Sequence, residues 1–185
     1  MHAMPETDKI DVGFRFFYCK MKILLPIEVT FFLLRRDLTI NEVNILTNIR
    51  YVQTEDEAFW FRFDRHLPKQ EFEHKVQMKQ GYVLLEENRP IGLLRYNLFW
   101  DQIPFCTLLY IDPKEQKKGY GKKLMEHWQE DMKKQGYGLL LISTQVDEQA
   151  QHFYRKIGYQ DCGSLILYAP GFQQPMEMFM SKVIE

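Results

Sequence analysis

The sequence predicts an α/β fold in which an antiparallel meander feeds a parallel crossover, and three observations carry that prediction. Tyr82–Glu86, Ile91–Phe99 and Phe105–Ile111 are strand-like runs joined by short links rich in turn residues, as in a meander. A helical pattern separates Phe105–Ile111 from a second continuous apolar run, Leu139-Leu140-Leu141-Ile142, which makes the connection a right-handed parallel crossover. Between them lies Leu108 to Gly121, LLYIDPKEQKKGYG, a strand stopped by Asp112-Pro113 and followed by a lysine-rich loop that delivers two glycines to a helix start.

In chain order, residues 1–46 come first and read differently from the rest. Phe14 to Leu34 is apolar, but Lys20, Lys22, Pro26 and Glu28 cut it into runs short of the roughly 20 residues that cross a bilayer. No small-residue cleavage pattern follows it. Three readings stand for this N-terminal extension: an added strand or helix packed on the main domain, a contact in a homodimer, or sequence upstream of the true start. Residues 47–185 form the domain. Asn48–Val52 reads as a short strand, and Thr54-Glu55-Asp56-Glu57 matches a capping box opening a helix with Phe59, Trp60 and Phe63. Leu67-Pro68 ends it. Lys69–Gln80 follows as a helix with Phe72 and Val76 on one face, stopped by Gly81. Glu87-Asn88-Arg89-Pro90 and Asp101–Pro104 then turn the chain between the three meander strands.

After Gly121, Leu124, Met125, Trp128 and Met132 recur at helical spacing until Gly136. Asp147 is expected to cap a further helix with Ala150, Phe153, Tyr154 and Ile157 on one face and Gly158 at its end. Ser164–Leu167 and Met176–Val183 are the closing strands, separated by the Pro170-Gly171 turn.

Composition excludes several classes. A hydrophobic share of 45% supplies an ample core, and a net charge of −1 gives no electrostatic reason for a nucleic-acid or membrane partner. Cys19, Cys106 and Cys162 are odd in number and lack metal spacing, which points to a reducing, cytoplasmic setting. His66 and His74 likewise lack partners at ligand spacing, so no metal is expected.

The chemistry concentrates in two stretches. Gln116-Lys117-Lys118-Gly119-Tyr120-Gly121-Lys122 puts unpaired helix N–H groups, the positive dipole end and several lysines at one place, a site for phosphate oxygens. The second, Asp147–Tyr159, DEQAQHFYRKIGY, is an amphipathic helix. Phe153 belongs to the core, whereas Tyr154 gains meaning beside the first stretch, where its hydroxyl can reach a bound ligand's reactive end.

Together these stretches resemble the GNAT-type N-acetyltransferase superfamily, which LLYIDP, QKKGYGK and AQHFYRKIGY match in order and spacing over about residues 48–183. The resemblance implies a mixed, mostly antiparallel sheet of six to seven strands, helices on both faces, and splayed parallel strands forming a cleft for acetyl-CoA. It implies that the pyrophosphate sits on the N–H groups of residues 117–122, that the pantetheine arm pairs with the backbone of Leu109, Tyr110 and Ile111, and that Tyr154 is the general acid for the departing thiolate. The position where this family often carries a cofactor-contacting asparagine is Asp147, and the glutamate many members use as base is replaced by Ile142. Asp101, Glu86, His152 and Tyr110 stand as candidate bases. Trp60, Phe61, Tyr96, Phe99 and Trp100 are candidate walls for a small-molecule or protein amine acceptor. The expected reaction is acetyl transfer to a primary amine by direct attack in a ternary complex. The alternatives are another acyl-CoA donor, or a CoA-binding sensor or interaction module without catalysis.

Overall fold

Seven strands form one sheet in the computed structural model, which describes residues 46–184. The strands are β1 (Thr47–Tyr51), β2 (Gly81–Glu86), β3 (Arg89–Phe99), β4 (Ile103–Ile111), β5 (Leu139–Gln145), β6 (Gln160–Leu165) and β7 (Glu177–Val183). Their spatial order is β1-β2-β3-β4-β5-β7-β6, and every neighbouring pair is antiparallel except β4–β5. Among the described residues four α-helices join them: α1 (Glu57–Phe63), α2 (Lys69–Gln77), α3 (Tyr120–Lys134) and α4 (Ala150–Lys156). The expected meander and crossover are both present. The readings offered for residues 1–46 lie, apart from Leu46, outside the described residues.

Strand alternation divides the core into two layers. Tyr82, Leu84, Leu94, Ile142 and Met180 pack against Leu124, Trp128 and Met132 of α3 on one face. Val83, Leu85, Leu93 and Leu108 pack against Trp60 of α1 and Phe72 of α2 on the other. Two of the proposed acceptor walls are therefore core: Trp60 is fully buried, and Tyr96 is buried beside Trp128, ring centroids 5.9 Å apart.

The first hairpin of the meander is a two-residue turn, Glu87-Asn88 (φ 49° and 66°), and the second a three-residue loop, Trp100–Gln102, whose first two residues are also left-handed (φ 52° and 59°). Turns of this hand match the twist of the strands they join. Arg89 and Pro90, expected in the turn, are thereby drawn into β3.

A buried polar chain fixes α1 to the centre of the sheet. Asp64, at the end of α1, is fully buried and accepts hydrogen bonds from Trp60 Nε1 (3.2 Å) and Arg95 Nε (2.7 Å). Arg95 Nη1 donates to Thr107 Oγ1 at 2.7 Å. Thr107 is the extra residue of a bulge in β4: Arg95 pairs with Leu108 and Tyr96 with Cys106, leaving Thr107 opposite nothing. Nearby, the buried Lys75 Nζ donates to Tyr96 O (3.0 Å), Gln80 Oε1 (3.1 Å) and Asn97 Oδ1, tying α2 to β3. Burial, and then the Arg95 charge, push the Lys75 ammonium down to about 8.

Local capping differs from the expectation in two places. Asp56, held by Arg50 at 2.6 and 2.9 Å, accepts from the Gln53 N–H at 2.8 Å, so a 3-10 turn over Thr54–Asp56 precedes α1 and Thr54 is not the cap. Asp147 does not cap α4 either. That helix starts at Ala150 with Gln149 as its cap residue, and Asp147 is an exposed turn residue. Asp147→Ala is therefore expected to change unfolding free energy by less than about 0.5 kcal/mol in a urea melt, where loss of a helix cap costs about 1 kcal/mol. The sixth strand also begins earlier than expected, at Gln160 directly after the Gly158 helix stop, rather than at Ser164.

Candidate active site

The parallel pair at the centre of the sheet is joined at only two positions, Phe105↔Leu141 and Cys106↔Ile142. Beyond them β4 and β5 diverge, and a cavity of about 580 Å³ occupies the gap. The bulge at Thr107 coincides with the start of the divergence, consistent with the local bend a bulge imposes. Leu109, Tyr110 and Ile111 line one wall, Ser143, Thr144 and Gln145 the other.

One end is closed by the loop into α3. Gln116, Lys117, Gly119, Tyr120, Gly121 and Lys122 all line the cavity. Lys117 (φ 64°) and Gly119 (φ 86°) adopt left-handed backbone, the alternation that turns successive N–H groups into an anion-holding concavity. The N–H groups of Tyr120, Gly121 and Lys122 start α3, whereas Lys123 N–H already bonds Gly119 O at 3.0 Å. A Cβ built on Gly119 would meet no protein atom within 4 Å, so the space in front of it is open to a ligand.

The loop's side chains have other work. Gln116 Nε2 donates to Ile111 O at 3.0 Å and folds the loop back on the end of β4. Lys118, outside the cavity lining, donates to the cavity-lining Glu115 (2.6 Å), which also accepts from Arg89 (2.8 Å). Arg89 continues to Glu86 at 2.6 Å, and Glu86 accepts from the Tyr120 hydroxyl. Hydrogen bonds from Lys118 and Arg89 hold the Glu115 carboxyl below the usual range, and the Glu86 contact pushes the Tyr120 phenol up to about 12. This network fixes the loop through Glu115 and Tyr120, both in the cavity lining.

Tyr154 stands on α4 in the cavity wall, mostly buried, with ring centroids 5.2 Å from Phe153 and 6.0 Å from Tyr159. Phe153 in turn packs near Gly121, its Cζ 3.7 Å from where a Cβ would stand, so the two glycine-loop and helix motifs meet directly.

The other expected residues are divided. His152 and Tyr110 line the cavity; Tyr110 stacks on Phe63 with centroids 4.3 Å apart. Asp101 sits in the exposed hairpin turn, and Glu86 is committed to Arg89 and Tyr120, so neither meets the cavity. Lys118 and Asp147 are also outside its lining. Ile142 is fully buried on the α3 face, a core position rather than a cleft position. Phe61 packs on Phe72 at 5.4 Å, while Phe99 is half-buried and Trp100 is 77% exposed. Among the described residues no group of His, Cys, Asp or Glu is arranged to hold a metal ion, and no helix is long and apolar enough to cross a membrane.

Sequence reasoning missed three carboxylates of the cavity wall, Glu115 in the loop network and two others. Glu177, only 3% exposed, and Glu148 both line the cavity. Glu177 opens β7 directly before the apolar run Met178-Phe179-Met180, where a lone acid at the period-2 position of Phe179 was the available signal. Burial, with the Glu148 charge adding, raises the Glu177 carboxyl above its usual range; the Ser143 hydroxyl pulls the other way.

The sequence profile of the acetyltransferase (GNAT) family matches residues 46–159. No curated protein matches the chain. Among solved structures, the ribosomal-protein-S18-alanine N-acetyltransferase of Escherichia coli is similar with a TM-score of 0.64 and 17% identity, over 76% of this chain and 95% of that one. Ard1 from Thermoplasma volcanium gives a TM-score of 0.66 and 16% identity, over 75% and 98%. N-acetylglutamate synthase from Neisseria gonorrhoeae, solved with coenzyme A and N-acetyl-glutamate, gives 0.64 and 15%, over 76% of this chain and 35% of that one.

Proposed function

Because the chain belongs to the acetyltransferase (GNAT) family, we propose that it moves an acetyl group from acetyl-CoA to a primary amine by direct attack within a ternary complex. The observation that carries this reading is the convergence, on one cavity, of the open β4–β5 gap, the α3 anion loop and Tyr154. The residues fit acetyl-CoA: an N–H concavity open in front of Gly119 suits a pyrophosphate, and the backbone of Leu109–Ile111 suits the amide-bearing arm. Bound there, acetyl-CoA supplies the activated acetyl group as a thioester.

The chain's own groups then divide the labour. The N–H groups of Tyr120, Gly121 and Lys122 hold the phosphates. The backbone of Leu109–Ile111 aligns the arm, and one of its N–H groups polarises the carbonyl that is attacked. The Tyr154 hydroxyl delivers a proton to the leaving sulfur. The similar proteins include a ribosomal-protein alanine N-acetyltransferase and an N-acetylglutamate synthase, so peptide N-termini and amino acids lead the acceptor screen, with polyamines and aminoglycosides beside them.

Calorimetry with acetyl-CoA, followed by thiol release across that amine panel, tests the proposal. Binding together with CoA release supports it. Binding without release on any amine replaces it with a CoA-binding module, and absence of binding removes it. Gly119→Val is expected to weaken acetyl-CoA at least 10-fold, about 1.4 kcal/mol, because a branched side chain fills the open space before the loop and resists its left-handed backbone. Wild-type affinity in that variant would remove the anion loop from the binding site.

A further inference from the structure

We propose that Glu177 is the general base of the reaction, and that with Ser143 and Glu148 it forms the site receiving the acceptor's ammonium group. The inference rests on the acetyl-transfer reading and supplies the group that Ile142 does not.

Three observations converge on it. Register is the first: Glu177 pairs with Gln145 and Phe179 with Ser143, so all four side chains share one sheet face, the face opposite the Ile142 and Met180 core. On that face Phe179 meets Phe105 and Phe105 meets Phe99, centroids 5.8 and 6.0 Å apart, all three half-buried. They make an apolar floor leading to the acid. Satisfaction is the second. Among the described residues, neither Glu177 Oε2 nor Glu148 Oε1 has a hydrogen-bond partner although both atoms are buried. The remaining Glu148 oxygen is occupied, accepting from Thr144 Oγ1 at 2.8 Å and from Gln145 N–H at 3.4 Å. Two buried acceptor oxygens in one cavity wall match the donors of an ammonium group. Position is the third: both acids line the same cavity as Tyr154, with Ser143 on β5 between the strands.

The proton balance closes. Glu177 Oε2 takes one proton from the ammonium and frees the nitrogen lone pair; the C–N bond forms at the thioester carbon and the C–S bond breaks. Tyr154 gives its proton to sulfur. The second proton lost by nitrogen restores Tyr154, and Glu177 returns its own to solvent. Apart from the proton released, every atom ends in the amide or in CoA.

The test compares the wild type with Glu177→Gln and Glu177→Asp. Acetyl-CoA affinity by calorimetry is expected to stay within about twofold in both, since neither variant touches the anion loop. With the best amine of the panel, kcat/KM for the wild type rises with pH as the carboxyl loses its proton; Glu177→Gln loses about 100-fold and that limb of the profile, and Glu177→Asp recovers part of the rate. Turnover near wild type in Glu177→Gln overturns the assignment. The carboxyl resonance of Glu177, identified by its absence from Glu177→Gln in a 13C titration of the free protein, is expected above the ordinary glutamate range; an ordinary value also overturns it. Failure of the wild type to bind acetyl-CoA would remove the acetyl-transfer reading instead, and the titration would still pass or fail Glu177 separately.

Discussion

Tyr154→Phe is expected to lower kcat by roughly 10²–10⁴-fold, the range a positioned general acid contributes, while acetyl-CoA affinity stays within about twofold. The substitution removes one hydroxyl from a mostly buried ring. The packing against Phe153 and Tyr159, at 5.2 and 6.0 Å between centroids, needs only the ring and survives. Because the anion loop and the β4 edge hold the cofactor in the proposed complex, its binding is independent of that hydroxyl. The effect therefore falls on kcat and not on affinity. Steady-state thiol release and calorimetry on the same preparation check it, and turnover at the wild-type level would take the acid role away from Tyr154.

The largest expected stability loss comes from Asp64→Ala, about 3–5 kcal/mol in urea unfolding, the cost of leaving one partner of a buried ion pair alone. Asp64 is fully buried and Arg95 nearly so, and their 2.7 Å contact also takes in the Trp60 indole N–H. Without the carboxylate, the guanidinium retains Thr107 Oγ1 but loses the 2.7 Å ion pair. Asp64→Asn keeps an acceptor oxygen and should lose less. Since Arg95 holds the bulge residue at which β4 turns away from β5, the surviving folded fraction of Asp64→Ala should also bind acetyl-CoA more weakly. A loss under 1 kcal/mol would mean that the pair contributes little.

Much of this architecture was legible because its determinants are local. Asp112-Pro113 stops β4 where expected, and Gly119, Gly136 and Gly158 take the left-handed conformations that punctuate helices. The continuous apolar run Leu139–Ile142 marked a strand covered on both faces, and it is one: Leu140 and Ile142 are buried and Leu139 and Leu141 half-buried. What failed depends on partners distant in sequence or on competition between neighbours. Asp147 satisfies the capping rule, yet Glu148 binds the Thr144 hydroxyl and Gln145 N–H first, and the chain turns through residues 146–149 before a helix can start. Thr54 lost its place to Asp56 because Arg50, from β1, fixes the Asp56 carboxylate. In the candidate site, the glycine loop and Tyr154 were readable as motifs. Glu177 was not, since only the β5–β7 register brings a carboxylate near the end of the chain to a cavity opened between β4 and β5.

The two-pair junction of β4 and β5 has a mechanical side. The four-stranded piece β1-β2-β3-β4 and the three-stranded piece β5-β7-β6 are each extensively paired, with single register shifts, yet share only the rungs at Phe105–Leu141 and Cys106–Ile142. Force passing from one piece to the other is borne by that short seam and by α3, which bridges it. In the proposed complex an extended arm adds rungs to β4 and lengthens the seam, so acetyl-CoA loading is expected to stiffen the sheet and slow amide exchange along β4 and β5.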